Sequence, residues 1–319
     1  MRILILGGTV FLGRHVTEAA LARGHEPTLF TRGLHGADLF PEAEHVRGDR
    51  ADLAPLAGRS WDAVIDTSCY VSDHARAAAR LDVGHYVFVS TANAYPRWPD
   101  EPVDEDSPTW PGDEPGYGPQ KAASERVLRA ALPGRVALVR AGLLVGPHDN
   151  VFRLPWWVRR VAAGGRFPAP GDPARPLQLI DARDLAGWLL DLAERRTAGA
   201  FNGTGPSGAT TFGGLLDQIV AATGADAEPH WIPEPALRAA GVAPWTELPL
   251  WMPESAAGTW RIGTARAQAA GLRCRPLAET VADVHRWLRD GGEAELGDWR
   301  AEQRPAPMTA AREAQLLAL

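Results

Sequence analysis

Tyr117 and Lys121 stand four residues apart in the run YGPQK, and Lys121 is the single lysine among 33 lysine and arginine residues. Arginine is planar and permanently charged, whereas a lysine ammonium is a compact point charge with three rotatable donors. A chain that uses arginine everywhere else and keeps one ammonium has a position where that difference counts. Residues four apart lie on one face of a helix, and KAASERVLRAAL after Tyr117 is rich in helix formers. A free tyrosine has a pKa of about 10. A neighbouring cation favours the phenolate and lowers that value, which makes Tyr117 a candidate general acid/base. The YxxxK spacing alone suits a plain amphipathic helix equally well; the solitary lysine favours chemistry.

The elements before this pair supply a frame for it. RILIL at 2–6 is a short apolar run, GGTVFLG at 7–13 is glycine-rich, and RHVTEAALARG has helical periodicity that stops at Gly24. Strand, glycine turn and helix in that order open a dinucleotide-binding unit. The helix N-terminus then faces the pyrophosphate, where backbone donors and the helix dipole both favour an anion. Gly7, Thr9, Val10, Phe11, Leu12 and Gly13 are therefore cofactor-binding candidates. PTLFT at 27–31 leads into Arg32, where an NAD enzyme usually offers an acidic residue to the ribose. An arginine suits a 2′-phosphate instead, so NADP(H) is expected over NAD(H).

HVRGD at 45–49 brings Asp49, followed by Arg50, to a strand end near the adenine, and WDAVIDTS at 61–68 brings Thr67 and Ser68 towards the cofactor. An alanine-rich helix over 72–82 leads into HYVFVS, which ends at Ser90 and Thr91. Short β-rich runs alternating with helices predict an α/β fold, a doubly wound parallel sheet of the Rossmann type. Ligands bind such sheets at the carboxyl ends of the strands.

GGTVFLG, VFVSTANAY and YGPQK, in this order and spacing, resemble the extended short-chain dehydrogenase/reductase family, the NAD-dependent epimerase/dehydratase group. RAGLLVGPHD at 140–149 is similar to the family's RPGxxxGP segment, and QLIDARDLA at 178–186 to its FIHVDDLA segment. The resemblance is clear over residues 1–205 and weak beyond. It implies that Thr91 hydrogen-bonds the substrate oxygen, with Ser90 as its weaker neighbour. It also implies that Tyr117 moves the proton and that Lys121 holds the nicotinamide ribose while depressing the tyrosine pKa. Ala141, Gly142 and Leu143 join the cofactor-binding set through the matched segment. Two departures stand out. Val10 occupies the middle position of the usual GxxGxxG, and Ala92 and Asn93 follow the threonine where sugar dehydratases carry an Asp-Glu pair. Dehydration is disfavoured, leaving carbonyl reduction, its reverse, or epimerisation through a transient ketone.

Residues 96–119 form a Pro-, Gly- and acid-rich loop, either a lid or a surface connection. From residue 151 the chain becomes rich in tryptophan, consistent with a smaller, discontinuous substrate-binding domain. The expected division is 1–150 with about 176–204 for the cofactor, and about 151–175 with 205–319 for the substrate, with a cleft between. Asn93, His148, Arg153 and Trp157 are substrate candidates. Helices are expected at 210–224, 275–290 and the C-terminal end.

A net charge of −6 without long basic runs argues against nucleic acid and anionic membranes, leaving a small-molecule substrate. Two distant cysteines and the absence of a signal-like opening fit a reducing cytoplasm, and no cluster has metal-ligand spacing. Heavy use of Ala, Arg, Gly and Pro fits a GC-rich bacterial genome. A homodimer is the oligomer that the resemblance implies. The leading reading is an NADP(H)-dependent oxidoreductase acting on a carbonyl or alcohol. A nucleotide-sugar epimerase is second. A non-catalytic cofactor-sensing or RNA-associated protein is third, opposed by the retained Thr91, Tyr117 and Lys121.

Overall fold

The computed structural model describes residues 1–98, 101–298, 301–306 and 308–319. The chain divides into two compact units: residues 1–143, 182–205 and 262–274 form the first, and residues 144–181, 206–261 and 275–319 the second.

Six strands of the first unit are β1 (Arg2–Leu6), β2 (Glu26–Thr31), β3 (Glu44–Arg47), β4 (Ser60–Asp66), β5 (Asp82–Thr91) and β6 (Val136–Ala141). With the edge strand Gly199–Gly203 they form one seven-stranded sheet, ordered from that edge through β6, β5, β4, β1 and β2 to β3. Every pairing in it is parallel. The order reverses between β1 and β4, as in a doubly wound Rossmann sheet. Strands covered on both faces read as continuous apolar runs, and Ile3, Leu4, Ile5 and Leu6 are each 0% exposed.

Alternate residues face opposite sides. Leu4 and Leu6 join Phe30, Val64, Tyr86 and Phe88 in a core closed by Ala75 and Ala78 of α2 (Ser72–Ala78) and Leu128 of α3 (Tyr117–Ala131). Helix α1 (Leu12–Ala22) packs with α5 (Ala182–Glu194), and α2 with α3. The helix expected over 72–82 ends at Ala78, because Arg80 N–H turns back to Ala77 O and Asp82 already starts β5.

A buried polar network ties α3 to the sheet. Arg140 of β6 donates from Nη2 to Glu125 Oε2 at 2.8 Å, with both side chains 3% exposed. Ser90 Oγ–H donates to Glu125 Oε1 at 2.5 Å. Arg140 Nη1 also donates to Tyr95 Oη at 3.0 Å, and Tyr95 in turn donates to Asn202 of the edge strand at 2.7 Å. The segment 262–274 returns to this unit through a bridge from Val103 to Ile262 and a bond from Asn202 Nδ2 to Gly263 O. No composition shift announces that return.

Within the second unit the strands Gly165–Pro170 and Ala227–Ile232 pair in parallel, and Pro176–Leu177 pairs antiparallel with Thr210–Thr211. Its helices include α4 (Arg153–Ala162), α6 (Phe212–Thr223), Leu277–Arg289 and Ala310–Leu317. Thr211 caps α6 by accepting Gly214 N–H at 3.0 Å. Trp156, Trp157, Phe167 and Phe212 fill its interior, with Trp157 edge to face against Trp156 and Phe212 and tilted on Phe167, and the half-buried Trp231 meets Phe212 edge to face. Among the described residues no helix is long and apolar enough to cross a membrane.

The Glu125–Arg140 pair generates a stability prediction. Removing one partner strands the other charge in the core, at about 3–5 kcal/mol. Glu125→Ala is expected to lose that much in urea unfolding, and a loss below about 1 kcal/mol would show that water already compensates the guanidinium.

Candidate active site

The sheet register brings the expected ligand-binding residues to one edge of the first unit. Leu6 pairs with both Phe30 and Asp66, Thr31 with Arg47, and Thr91 with Ala141. Each chain segment that follows these positions therefore leaves the sheet at its carboxyl side, where a doubly wound sheet takes ligands.

The turn after β1 has a shape that only glycine allows at two places. Gly7 has φ +93°, and a Cβ there would lie 2.8 Å from Thr67 Oγ1 and from Ser68 Cβ. A Cβ on Gly13 would fall 1.8 Å from Gly7 O, so α1 starts hard against the end of β1. Thr67 Oγ–H donates to Gly7 O at 2.9 Å and holds the other side of the turn. Val10 O accepts from Gly13 N–H at 3.0 Å. Val10 is not among the positive-φ residues, so its side chain adds no backbone strain; Phe11 carries it instead, at φ 39°. Thr9 is buried, and Leu12 begins the helix. A tight glycine turn leading into a helix N-terminus fits a dinucleotide pyrophosphate.

Arg32 is exposed just past β2. A Cβ on the next residue, Gly33, would sit 3.0 Å from Arg47 Nε, so a second guanidinium from the end of β3 lies against the same turn. Asp49 is exposed and accepts Ala51 N–H at 2.9 Å, shaping its own turn. Arg50 is buried instead, donating from Nη2 to Asp66 Oδ2 at 2.7 Å. Tyr86 donates to that same oxygen at 2.6 Å and Ser68 N–H to Oδ1 at 3.0 Å. The hydroxyl of Ser68 is buried without a hydrogen-bond partner in the structure, which leaves a donor beside Gly7. Gly142 N–H donates to Gly203 O at 3.1 Å beside Ala141 and Leu143.

Lys121 is 2% exposed and donates from Nζ to Val89 O at 2.7 Å. Its ammonium lies 4.7 Å from the Phe88 ring centroid, 5.5 Å from Tyr70 and 5.9 Å from Tyr117. Burial pushes its pKa below the ordinary lysine value, opposed by Cys69, Tyr70, Asp66 and Glu125. Tyr117, the first residue of α3, is 47% exposed. Two residues beyond Val89, Thr91 accepts Asn93 N–H on its hydroxyl oxygen at 3.2 Å. Asn93 is exposed, and its carbonyl accepts Trp110 Nε1–H at 3.1 Å. A Cβ on Gly118 would come within 2.1 Å of Asn93 O. The helix start bearing Tyr117 is thus pressed onto the turn that follows Thr91.

The loop 96–119, apart from Pro99 and Asp100, which lie outside the described residues, is pinned to this unit by Trp98 against Tyr95 and by Arg126 on the Trp110 carbonyl. Ser90, expected near the cofactor, has its hydroxyl on Glu125. In the second unit Trp157 is 0% exposed and donates to Pro249 O at 2.7 Å. That gives it a core position in place of the substrate contact expected of it. His148 packs on Trp287 at 5.5 Å and pairs with Glu295 at 3.3 Å, while Arg153 stacks over Trp245 at 5.0 Å. Asp149, buried, caps the start of α4 by accepting Arg153 N–H at 3.2 Å. Sequence reasoning missed Tyr70, Gly116, Gly118 and Arg47. Glycines on both sides of Tyr117 were a signal for two of them. No group of three or more His, Cys, Asp or Glu side chains among the described residues has metal-binding geometry.

Residues 64–202 match the model of the NAD dependent epimerase/dehydratase family. The chloroplast stem-loop binding protein of 41 kDa b of Arabidopsis thaliana is 27% identical over 246 residues, 70% of this chain and 63% of that protein. The 2-alkyl-3-oxoalkanoate reductase of Stenotrophomonas maltophilia is 28% identical over 215 residues, 59% of this chain and 64% of that enzyme. The chain thus spans less than two thirds of the length of either relative. The Bordetella bronchiseptica enzyme WbmH, solved in complex with NAD+, superposes with a TM-score of 0.72 at 21% identity over 91% of this chain and 99% of that one, a likeness of fold. The stretch that matches the NAD dependent epimerase/dehydratase model takes in Thr91, Tyr117 and Lys121, and the glycine turn from Gly7 to Gly13 precedes it at the opening of the same sheet.

Proposed function

We propose that this protein is an NADP(H)-dependent oxidoreductase that reduces a carbonyl of a small molecule, or oxidises the corresponding alcohol. The observation that carries the reading is the buried Lys121 ammonium, fixed on Val89 O one helical turn from Tyr117. The reductase named among the relatives supports it. The residues of the glycine turn, Thr67, Ser68 and Lys121 would hold the cofactor, and when bound it supplies or accepts a hydride.

Charge that develops on the substrate oxygen needs a donor and a proton. Thr91 uses its oxygen to accept Asn93 N–H, an arrangement that leaves its hydroxyl proton for the substrate oxygen. Tyr117, exposed beside the ammonium, transfers the proton, and Lys121 stabilises the phenolate left behind. Arg32 and Arg47 flank the Gly33 turn and favour a 2′-phosphate through charge-assisted bonds. The substrate is a small molecule, and neither nucleic acid nor a membrane is a partner in this reading.

A nucleotide-sugar epimerase is the second reading, supported by the family model; interconversion of sugar nucleotides without net cofactor turnover would establish it. The Arabidopsis relative named for stem-loop binding supports a third, RNA-associated reading, which a gel shift without oxidoreductase activity would favour.

Tyr117→Phe is expected to lower kcat by about 10²–10⁴ while cofactor affinity, read by fluorescence titration, stays at the wild-type value. Turnover near the wild-type rate would place the proton donor elsewhere. Arg32→Ala is expected to raise the Michaelis constant for NADPH about ten-fold and to leave that for NADH unchanged. Equal constants for the two cofactors in the wild-type enzyme would remove the NADP(H) preference.

A further inference from the structure

We infer that Tyr70 is a positioning residue for Tyr117: its ring holds the proton-donating phenol against the Lys121 ammonium. The inference rests on the reaction proposed above and adds to it a residue from outside the YGPQK segment.

The two tyrosine rings lie 6.3 Å apart, tilted by 37°. Lys121 Nζ completes a triangle with them, 5.5 Å from the Tyr70 centroid and 5.9 Å from that of Tyr117. Ring pairs at this separation attract one another, and a cation over a ring face is drawn to it. Tyr117 needs such a contact. As the first residue of α3 and 47% exposed, it has no full turn of helix beneath it and much of its ring faces solvent. A general acid must be held close to its productive geometry.

Tyr70 is built to supply that restraint because its loop is clamped to α3 on both sides. Immediately before it, Cys69 is 0% exposed, with Sγ 3.7 Å from Ser124 Oγ and 3.5 Å from Val71 O. Shortly after it, Ser72 N–H donates to Gln120 Oε1 at 3.0 Å. Ser124 and Gln120 belong to the helix that carries Tyr117 and Lys121. The loop that carries Tyr70 is therefore tied to the helix that carries Tyr117. Burial pushes the Cys69 thiol up to about 11, so this cysteine serves as an anchor and stays protonated at neutral pH.

The test measures NADPH consumption with the simple ketone or aldehyde that the wild type reduces fastest. Tyr70→Leu removes the ring, and kcat is expected to fall on the order of ten-fold with NADPH affinity and thermal midpoint at wild-type values. Tyr70→Phe, which keeps the ring, is expected to restore kcat. Tyr70→Met is the second ring-less variant if the leucine protein does not fold. A ring-less variant with wild-type kcat overturns the inference. So does a phenylalanine variant as slow as the leucine one, since the hydroxyl would then act in the chemistry itself. A slow Tyr117→Phe beside a fast Tyr70→Leu sinks this inference alone, whereas a fast Tyr117→Phe sinks the proposed reaction and Tyr70's role with it.

Discussion

The hydrogen bond from the Lys121 ammonium to Val89 O fixes the geometry on which the rest of the site depends. Burying a cation costs several kcal/mol unless polar partners replace its water. Here one donor goes to a strand carbonyl, aromatic faces at 4.7–5.9 Å surround the nitrogen, and Asp66 and Glu125 supply negative field. A guanidinium could not substitute, because its planar fork needs several acceptors in one plane whereas the ammonium here uses one carbonyl and the ring faces. An otherwise arginine-only chain therefore keeps its one lysine where a compact charge is required.

That bond also sets where α3 sits. Tyr117, Lys121 and Glu125 succeed one another at four-residue intervals along one side of the helix, and each meets a different neighbour. Glu125 is locked to Arg140 and Ser90, Lys121 to Val89, and the helix start is pressed onto Asn93 through Gly118. Exposure is thus graded along a single helix, from the buried Glu125–Arg140 pair through the buried Lys121 ammonium to the exposed Tyr117 phenol. The buried Arg50–Asp66–Tyr86 group does the equivalent for the loop after β4, fixing the strand end whose next residues line the glycine turn.

Most of the first unit could be read along the chain because its information is local. Continuous apolar runs mark strands covered on both faces, and glycines at 7 and 13 mark a turn in which any Cβ would collide. The second unit was less readable: its short strands pair across 33 residues (Leu177 with Thr210) and 62 residues (Gly165 with Ala227), and the same tryptophan that could line a pocket could equally fill a core. Trp157 shows the outcome, with no exposed surface at all. Arg50 illustrates the same limit inside the first unit, since a charged residue at a strand end is exposed by default and only its partner Asp66, distant in sequence, makes burial affordable.

By itself the sequence determined the strand–turn–helix opening, the helix through Tyr117 and Lys121, and the pairing of a phenol with a solitary ammonium, because periodicity and fixed spacing act within a few residues of each other. Tertiary structure alone decided that Tyr70 faces Tyr117, that Arg47 joins Arg32 beside Gly33, and that Ser90 is spent on Glu125. Those contacts join segments from separate strands. Strand order and register choose such neighbours, and no spacing along one stretch of chain encodes them.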